Sequence, residues 1–339
     1  LFAFAVSFLC TKGILRWSLG RRLLDMPNDR SSHTVPRPRL GGVAIVAAVL
    51  ISLVALLLFG RRPAGGACAA AGIAAGGLLI AATGFLDDLR GLDARVKLAA
   101  QLVAALIVVF SGCVLRELRL PILGLVSLGP LAAPLTIVWI TGLINFYNFI
   151  DGIDGLAAGV GMIASLFLAV IWTLAGGPWL GAVYAILAGG CFGFLRFNFP
   201  PARIFMGDTG STTIGFLFAV LAVAGAGRGV PLFITVLLLG GVLADAALTL
   251  GRRVIQREPV FTPHRTHYYQ RFTSLGLSHK QVTLLEYLFA FLLGVSALFY
   301  LRGETVFVAV FSILWSAFFL WALVKVRSCL LYTSPSPRD

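Results

Sequence analysis

The sequence predicts an all-α polytopic membrane protein with about ten or eleven transmembrane helices. Of its 339 residues, 59% are hydrophobic and only 12% are charged, more apolar surface than a soluble domain of this size needs. Mean hydropathy is +0.95. Apolar runs of about 20 residues, the length that crosses a bilayer, recur from end to end. These runs are punctuated by Asn and Gly and lack the strict alternation of a barrel strand.

The spans are expected near 1–19, 41–60, 64–85, 97–115, 131–150, 156–175, 179–195, 211–227, 231–250, 281–301 and 305–325. The first opens without an initiator Met and reads as truncated. Residues 115–130, with Pro121, Gly124, Gly129 and Pro130, form an irregular connector that suits a short hairpin. No repeat period is visible. Residues 1–326 are expected to be a single integral-membrane domain. The Ser-, Pro- and Arg-containing tail 327–339 reads as disordered or foreign sequence and carries no functional inference.

A formal net charge of +13 would suggest nucleic acid as partner of a soluble protein. Here the positive charge lies in loops between spans, where the positive-inside bias accounts for it, so no nucleic-acid partner is expected. Loops after odd-numbered spans hold most of it, Arg37, Arg39, Arg90, Arg95, Lys97, Arg196, Arg203, Arg252 and Arg253 included. Loops after even-numbered spans hold only Arg61, Arg62, Arg116, Arg119, Arg228 and Arg302. The odd loops are therefore placed in the cytoplasm. They also carry nearly every unusual polar residue, which predicts an active-site cleft on the cytoplasmic face. The five cysteines are scattered singly, without zinc or redox spacing, and read as packing residues.

Loop 1 runs from Asp25 through Asn28, Arg30, Ser31, Ser32 and His33 to Pro36-Arg-Pro-Arg39 and Gly41-Gly42. It is either a solvated linker or a basic lip that receives a phosphate. Loop 3 carries Asp87-Asp88 followed by Arg90, Asp93, Arg95 and Lys97. Adjacent carboxylates at a span end are unfavourable without a cation nearby. Neighbouring helical residues point about 100° apart, so one can face a metal or a lysine while the other meets a substrate. The alternative is a loop cap beside Arg90 and Arg95.

Loop 5 places Asn148, Asp151 and Asp154 three residues apart, close enough on a helical turn to converge on one centre. A metal with an anionic substrate fits this spacing. In loop 7, Arg203 precedes Gly207-Asp208-Thr-Gly-Ser211 at the start of an apolar span. Asp208 is either an N-cap or a Mg²⁺ ligand beside a phosphate at the helix N-terminus. Loop 9 gathers His264, Arg265 and His267 with Tyr268, Tyr269 and Arg271, half of the four histidines within four residues. Without nearby Cys or acidic partners these suit a pyrophosphate or a stacked base better than zinc. Asp245, inside span 9, either pairs with Arg252 or lines the cleft.

Four of these motifs together resemble the polyprenyl-phosphate N-acetylhexosamine-1-phosphate transferases: Asp87-Asp88, Asn148-Phe-Ile-Asp151-Gly-Ile-Asp154-Gly, Met206-Gly-Asp208-Thr-Gly-Ser and His264-Arg-Thr-His267. The resemblance covers roughly residues 11 to 325. It implies transfer of a sugar-1-phosphate from a UDP-sugar donor to a polyprenyl phosphate acceptor, with release of UMP. It implies Mg²⁺ or Mn²⁺ held at Asn148 and Asp208, and acceptor activation by Asp87 and Asp88. It implies nucleotide contacts at Asp151 and Asp154 and donor contacts at His264, Arg265 and His267. Arg203 and Lys97 join these as candidate substrate-binding groups. A bacterial inner-membrane location follows, and a homodimer is allowed but not required. The loop here has His264-Arg265-Thr266-His267 where the phospho-MurNAc-pentapeptide branch has a triple-His motif. It looks more like the O-antigen and capsule-initiating branch, which uses UDP-N-acetylhexosamines. Two rivals from the residues alone are a membrane aromatic prenyltransferase using Mg-prenyl diphosphate and a secondary transporter of an anionic sugar or nucleotide.

Overall fold

The computed structural model describes residues 1–21, 24–25, 36–59, 66–120, 123–258 and 266–304. Its helices are α1 (Phe2–Arg21), α2 (Gly42–Phe59), α3 (Ala67–Arg90), α4 (Ala94–Phe110), α5 (Ala132–Phe149), α6 (Leu156–Leu174) and α7 (Pro178–Asn198). They continue with α8 (Gly207–Ala226), α9 (Leu232–Leu238), α10 (Gly240–Ile255), α11 (Tyr268–Ser274) and α12 (His279–Leu301). The connector after α4 folds into an antiparallel hairpin of β1 (Glu117–Leu120) and β2 (Gly124–Ser127). The chain is thus an all-α polytopic membrane protein carrying one small hairpin.

Ten expected spans find a counterpart among the described residues; the eleventh, 305–325, lies outside them, as does the tail 327–339. Two counterparts differ from expectation. Helix α4 has 17 residues and starts at Ala94 on an Asp93 N-cap, so Lys97 stands inside the helix and not in a loop. Span 9 is not one rod: α9 and α10 meet at 77°. Its break falls at Leu239, just before Gly240-Gly241, where low helix propensity lets the chain turn and Gly241 lies against the Phe289 ring. Helix α10 then runs to Ile255, taking Arg252 and Arg253 into its last turn.

Helix α8 is the axis of the bundle. Every residue from Thr209 to Val223 is buried, as its all-round apolar sequence requires. Helices α3 and α5 pack along it, and α2 leans on its N-terminal end. The polypeptide 38–42 also binds the segment before α8, through Phe205 N–H to Pro38 O (2.7 Å), Gly41 N–H to Phe205 O (3.0 Å) and Gly42 N–H to Met206 O (2.8 Å). Helices α6 and α7 form a hairpin covered by α1 on one side and α12 on another. Leu57, Phe59, Val138, Val170 and Phe291 project outward, as side chains facing hydrocarbon do. These contacts bring the C-terminal ends of α3 and α5 to the N-terminal end of α8. The motifs expected in loops 3, 5 and 7 therefore converge.

Candidate active site

The last turn of α3 sends its two aspartates in different directions, as the helical angle requires. Asp87 turns to α4: its Oδ1 accepts the Leu92 N–H (2.6 Å) and its Oδ2 lies 3.2 Å from Lys97 Nζ. The same ammonium is 3.0 Å from Asp208 Oδ2, so Lys97 bridges two carboxylates from α3 and α8. Asp88 turns to α8 instead. Its carboxylate accepts the N–H groups of Asp208 (2.9 Å) and Thr209 (3.1 Å) and the Thr209 hydroxyl (2.6 Å). With its side chain 2% exposed, Asp88 serves as an N-cap supplied from another helix.

That capping answers one expectation for Asp208. The first-turn amides of α8 are not open to a phosphate: Asp88 takes those of Asp208 and Thr209, and the Gly207 N–H faces the Asp151 carboxylate. Gly207 has φ +71°, and a Cβ there would stand 2.5 Å from both Asp88 Oδ1 and Arg39 O. Gly84 is forced by close approach: a Cβ on it would meet Thr209 N and Cα at 2.7 Å. These two glycines let α3 and α8 come near enough for the carboxylate to cap the helix.

Arg39, on the loop that reads either as a solvated linker or as a phosphate lip, is committed to α3. Its Nε donates to Asp88 O (2.9 Å) and an Nη to Asp87 O (3.0 Å), with Asp25 at 3.5 Å. It adds donors to the carbonyls of the last turn of α3, where a cation is favoured. The rest of the lip, including Asn28, Arg30 and His33, lies outside the described residues.

Asn148, at the end of α5, accepts the Ser211 hydroxyl at 2.6 Å through Oδ1. Ser211 and Asp208 are three apart on α8 and share a face, so the Asn148 amide oxygen and the Asp208 carboxylate belong to one site. Asp151 follows in the 150–155 turn. Burial pushes its pKa well above the usual carboxylate range, reinforced by the charges of Asp208 and Asp88. Asp87, Asp88, Asp151 and Asp208 thus crowd one helix end, and the cations touching this group among the described residues are Lys97 and Arg39. The excess of negative charge suits a divalent cation. No ready-made cage of three or more His, Cys, Asp or Glu exists among the described residues. Mg²⁺ does not need one, since it commonly takes one or two carboxylates, water and substrate phosphate. The donor set therefore fits that ion.

Asp154 is a structural tie. It accepts the Ala202 N–H (2.9 Å), its carbonyl accepts the Thr283 hydroxyl (2.8 Å), and the His279 ring is 3.7 Å away. Burial alone would raise its pKa, but His279, the Ala202 N–H and the charge of Arg37 hold it below the usual value. A carboxyl lowered on folding stabilises above its unfolded pKa and loses that contribution as pH falls through the lowered one. Asp154→Asn is expected to lower stability by roughly 1 kcal/mol at neutral pH. The gap from wild type should close below about pH 4. Thermal melts of the purified protein across pH check this; a gap unchanged at low pH would contradict it.

Nearby, Arg203 is exposed and its guanidinium lies 5.8 Å from the Phe197 ring centre. His267 is buried at the foot of loop 9, its Nδ1 3.5 Å from Asp245 and its ring 5.3 Å from Phe149 and 5.8 Å from Tyr269. Asp245 also accepts the Tyr268 N–H (2.8 Å) and the Thr249 hydroxyl (3.1 Å), so it anchors this loop and not Arg252. Tyr269 donates to Phe149 O (2.7 Å), which joins α11 to the turn bearing Asp151. His264 and Arg265 lie outside the described residues. Sequence reasoning did not single out Gln101, whose amide exchanges hydrogen bonds with Asn145 (2.6 and 3.3 Å) and locks α4 to α5. It also passed over Asn198, which takes the Gly155 N–H (3.0 Å) and donates to Ile204 O (2.9 Å).

Comparison with known proteins shows the family of the chain. The signature of glycosyl transferase family 4 matches residues 70–226, which hold the whole acidic cluster. A probable undecaprenyl-phosphate N-acetylglucosaminyl 1-phosphate transferase of Bacillus subtilis is 32% identical over 332 residues, 96% of this chain and 91% of the relative. A decaprenyl-phosphate N-acetylglucosaminephosphotransferase of Mycolicibacterium smegmatis is 34% identical over 316 residues, covering 83% and 77%. A phospho-N-acetylmuramoyl-pentapeptide-transferase of Desulforudis audaxviator is 32% identical over 326 residues, covering 85% and 91%. With similarity that spans nearly the full chain and motifs meeting at one helix end, the chain belongs to glycosyl transferase family 4, the membrane-embedded polyprenyl-phosphate sugar-phosphate transferases.

Proposed function

We propose that the protein transfers N-acetylhexosamine-1-phosphate from a UDP-sugar to undecaprenyl phosphate on the cytoplasmic face of a bacterial inner membrane. The observation that carries this reading is the Lys97 bridge between Asp87 and Asp208 beside Asn148, at the one end of the bundle where the polar loops meet. In the reaction an oxygen of the lipid phosphate comes to hold the sugar-bearing phosphorus of the donor. The bond from that phosphorus to the oxygen bridging the two donor phosphates breaks, and UMP leaves. Both reactants are anions, so charge neutralisation and in-line placement are the main tasks. Either the lipid phosphate attacks directly or an aspartate first takes the phosphosugar. The Lys97 pair suits both routes, because it orients the carboxylates and presents a cation to phosphate oxygens.

Asp208 and Asn148 would hold a Mg²⁺ or Mn²⁺ ion. That ion, when bound, neutralises charge on the donor pyrophosphate. Asp88, Asp151 and Gly207 set the start of α8 and hence the direction of Asp208. Arg203 is an open cation for a phosphate or sugar acid, while Asp154 acts by holding its connector. The isoprenoid tail stays in the bilayer, so its phosphate reaches the donor only at an interface. The His264–His267 segment favours a UDP-N-acetylhexosamine donor over the pentapeptide-bearing one; identity to relatives does not separate the two, at 32% for each.

The direct test incubates purified protein with UDP-N-acetylglucosamine, undecaprenyl phosphate and Mg²⁺ and follows UMP. Lipid-dependent UMP release is the expected result. Pyrophosphate release from a prenyl diphosphate, or sugar-nucleotide flux without lipid-linked product, would replace this reading by one of its rivals. His267→Ala should raise the donor KM more than the acceptor KM, because the ring packs at the foot of the proposed donor loop. Equal changes in both would count against a donor role.

A further inference from the structure

At the opposite end of α8 from Asp208, two apolar clefts meet at Arg228, the one basic residue that lines them among the described residues. With 20 residues, α8 separates the two ends by about 30 Å. Arg228 stands just beyond its last turn and is exposed. The larger cleft, about 450 Å³, opens between α2, α3 and α8 and is lined by Leu53, Ile73 and Leu217 among others. The second, about 380 Å³, lies beside Leu56 and Trp172. Trp179 and Arg228 line both. The Trp179 indole N–H is shielded from solvent and has no hydrogen-bond acceptor among the described residues. Such a group carries an uncompensated desolvation cost until an acceptor arrives.

The larger cleft is closed towards the acidic cluster. There the backbone of α2 at Gly42 touches that of α8 at Gly210, and Gly84 of α3 lies against Thr209. Helices α2 and α3 thus converge on α8 at the catalytic end and, among the described residues, diverge at the other. Any apolar wall in a bilayer meets lipid. A cation and a buried N–H donor placed where two clefts join are features of a site.

We propose that this junction binds a diacyl phospholipid with an anionic headgroup. The headgroup phosphate lies on Arg228, the Trp179 ring turns on binding to bring its shielded N–H to the same phosphate, and one acyl chain enters each cleft. Two clefts on one headgroup position fit two chains and one phosphate. They do not fit the acceptor of the proposed reaction, which has a single isoprenoid chain and must bring its phosphate to Asp87 and Asp208, about 30 Å away along α8. The bound lipid lies in the cleft between α2, α3 and α8 and so braces the helices that position Asp88.

Native mass spectrometry of the full chain in detergent tests this, with phosphatidylglycerol, phosphatidylcholine of the same acyl chains, and undecaprenyl phosphate as probes. Phosphatidylglycerol is expected to be retained about tenfold more strongly than phosphatidylcholine, whose choline cation offsets the attraction of its phosphate to Arg228. Arg228→Gln should erase that preference. Trp179→Phe, which keeps the ring and removes only the N–H, should weaken retention of both diacyl lipids. Equal retention of the two diacyl lipids by the wild type, or a preference untouched by Arg228→Gln, would reduce the clefts to ordinary lipid-facing surface. Displacement of phosphatidylglycerol by undecaprenyl phosphate in wild type but not in Arg228→Gln would make this a polyprenyl site and overturn the assignment.

Discussion

Asp208→Asn is expected to lower UMP release by about three orders of magnitude while leaving the protein folded, the scale seen when a preorganised charge contact is lost from a water-poor site. At this position the substitution removes charge and little else. The Asp208 backbone N–H stays on Asp88 and α8 keeps its start, because the cap is made by a different residue. What changes is the partner of Lys97, whose ammonium lies 3.0 Å from the lost negative oxygen. Lys97 then leans on Asp87 alone, 3.2 Å away, and no longer links α4 to α8. A loss of this size corresponds to about 4 kcal/mol of transition-state stabilisation. Turnover measured with saturating Mg²⁺, alongside a thermal melt, separates chemistry from folding. Turnover within tenfold of wild type would remove Asp208 from the centre of the reaction. Lys97→Arg is not expected to substitute for lysine, because a planar fork cannot sit between two carboxylates as a compact ammonium does.

Much of this site was readable before the structure. Helical geometry alone predicted that Asp87 and Asp88 would diverge; it left a metal, a lysine or a loop cap open for them, and Asp87 meets Lys97. The charge bias of the loops placed loops 3, 5 and 7 on one face, and their residues do meet at the start of α8. What the sequence left open is how a residue divides between catalysis and scaffolding. Arg39 lies on a loop that could be a solvated linker or a phosphate lip, and its side chain is bound to the last carbonyls of α3. Asp154 is spaced as a ligand, and it is bound to the Ala202 backbone. These roles depend on which backbone amides and carbonyls a distant loop leaves unpaired, and residue type and spacing do not encode that. The bend between α9 and α10 had a local signal in Gly240-Gly241, masked by the even hydropathy around it. Gln101 and Asn145 had a signal too: polar amides inside apolar helices, which need a partner of their own kind.

Gly207→Ala is expected to cost about 3 kcal/mol of stability or more, and to take activity with it. Two effects add at this residue. The backbone is left-handed at φ +71°, a conformation that costs an L-residue about 1–2 kcal/mol. The new methyl would also stand 2.5 Å from Arg39 O and 2.5 and 2.6 Å from the Asp88 carboxylate oxygens. Neither neighbour can give way easily: Asp88 is held by three hydrogen bonds to α8, and Arg39 belongs to the strap that runs beside Phe205 and Met206. If the carboxylate is what the methyl strikes, shortening Asp88 should relieve part of the penalty. Asp88→Ala destabilises by itself, since it strips the cap from α8. The double variant Asp88→Ala, Gly207→Ala should then lose less than the sum of the two single changes, by about 1 kcal/mol or more. Chemical or thermal denaturation of the four proteins measures this coupling. Strict additivity would mean that Gly207 is required by its backbone angle and the Arg39 carbonyl, and that the carboxylate of Asp88 is not what the methyl strikes.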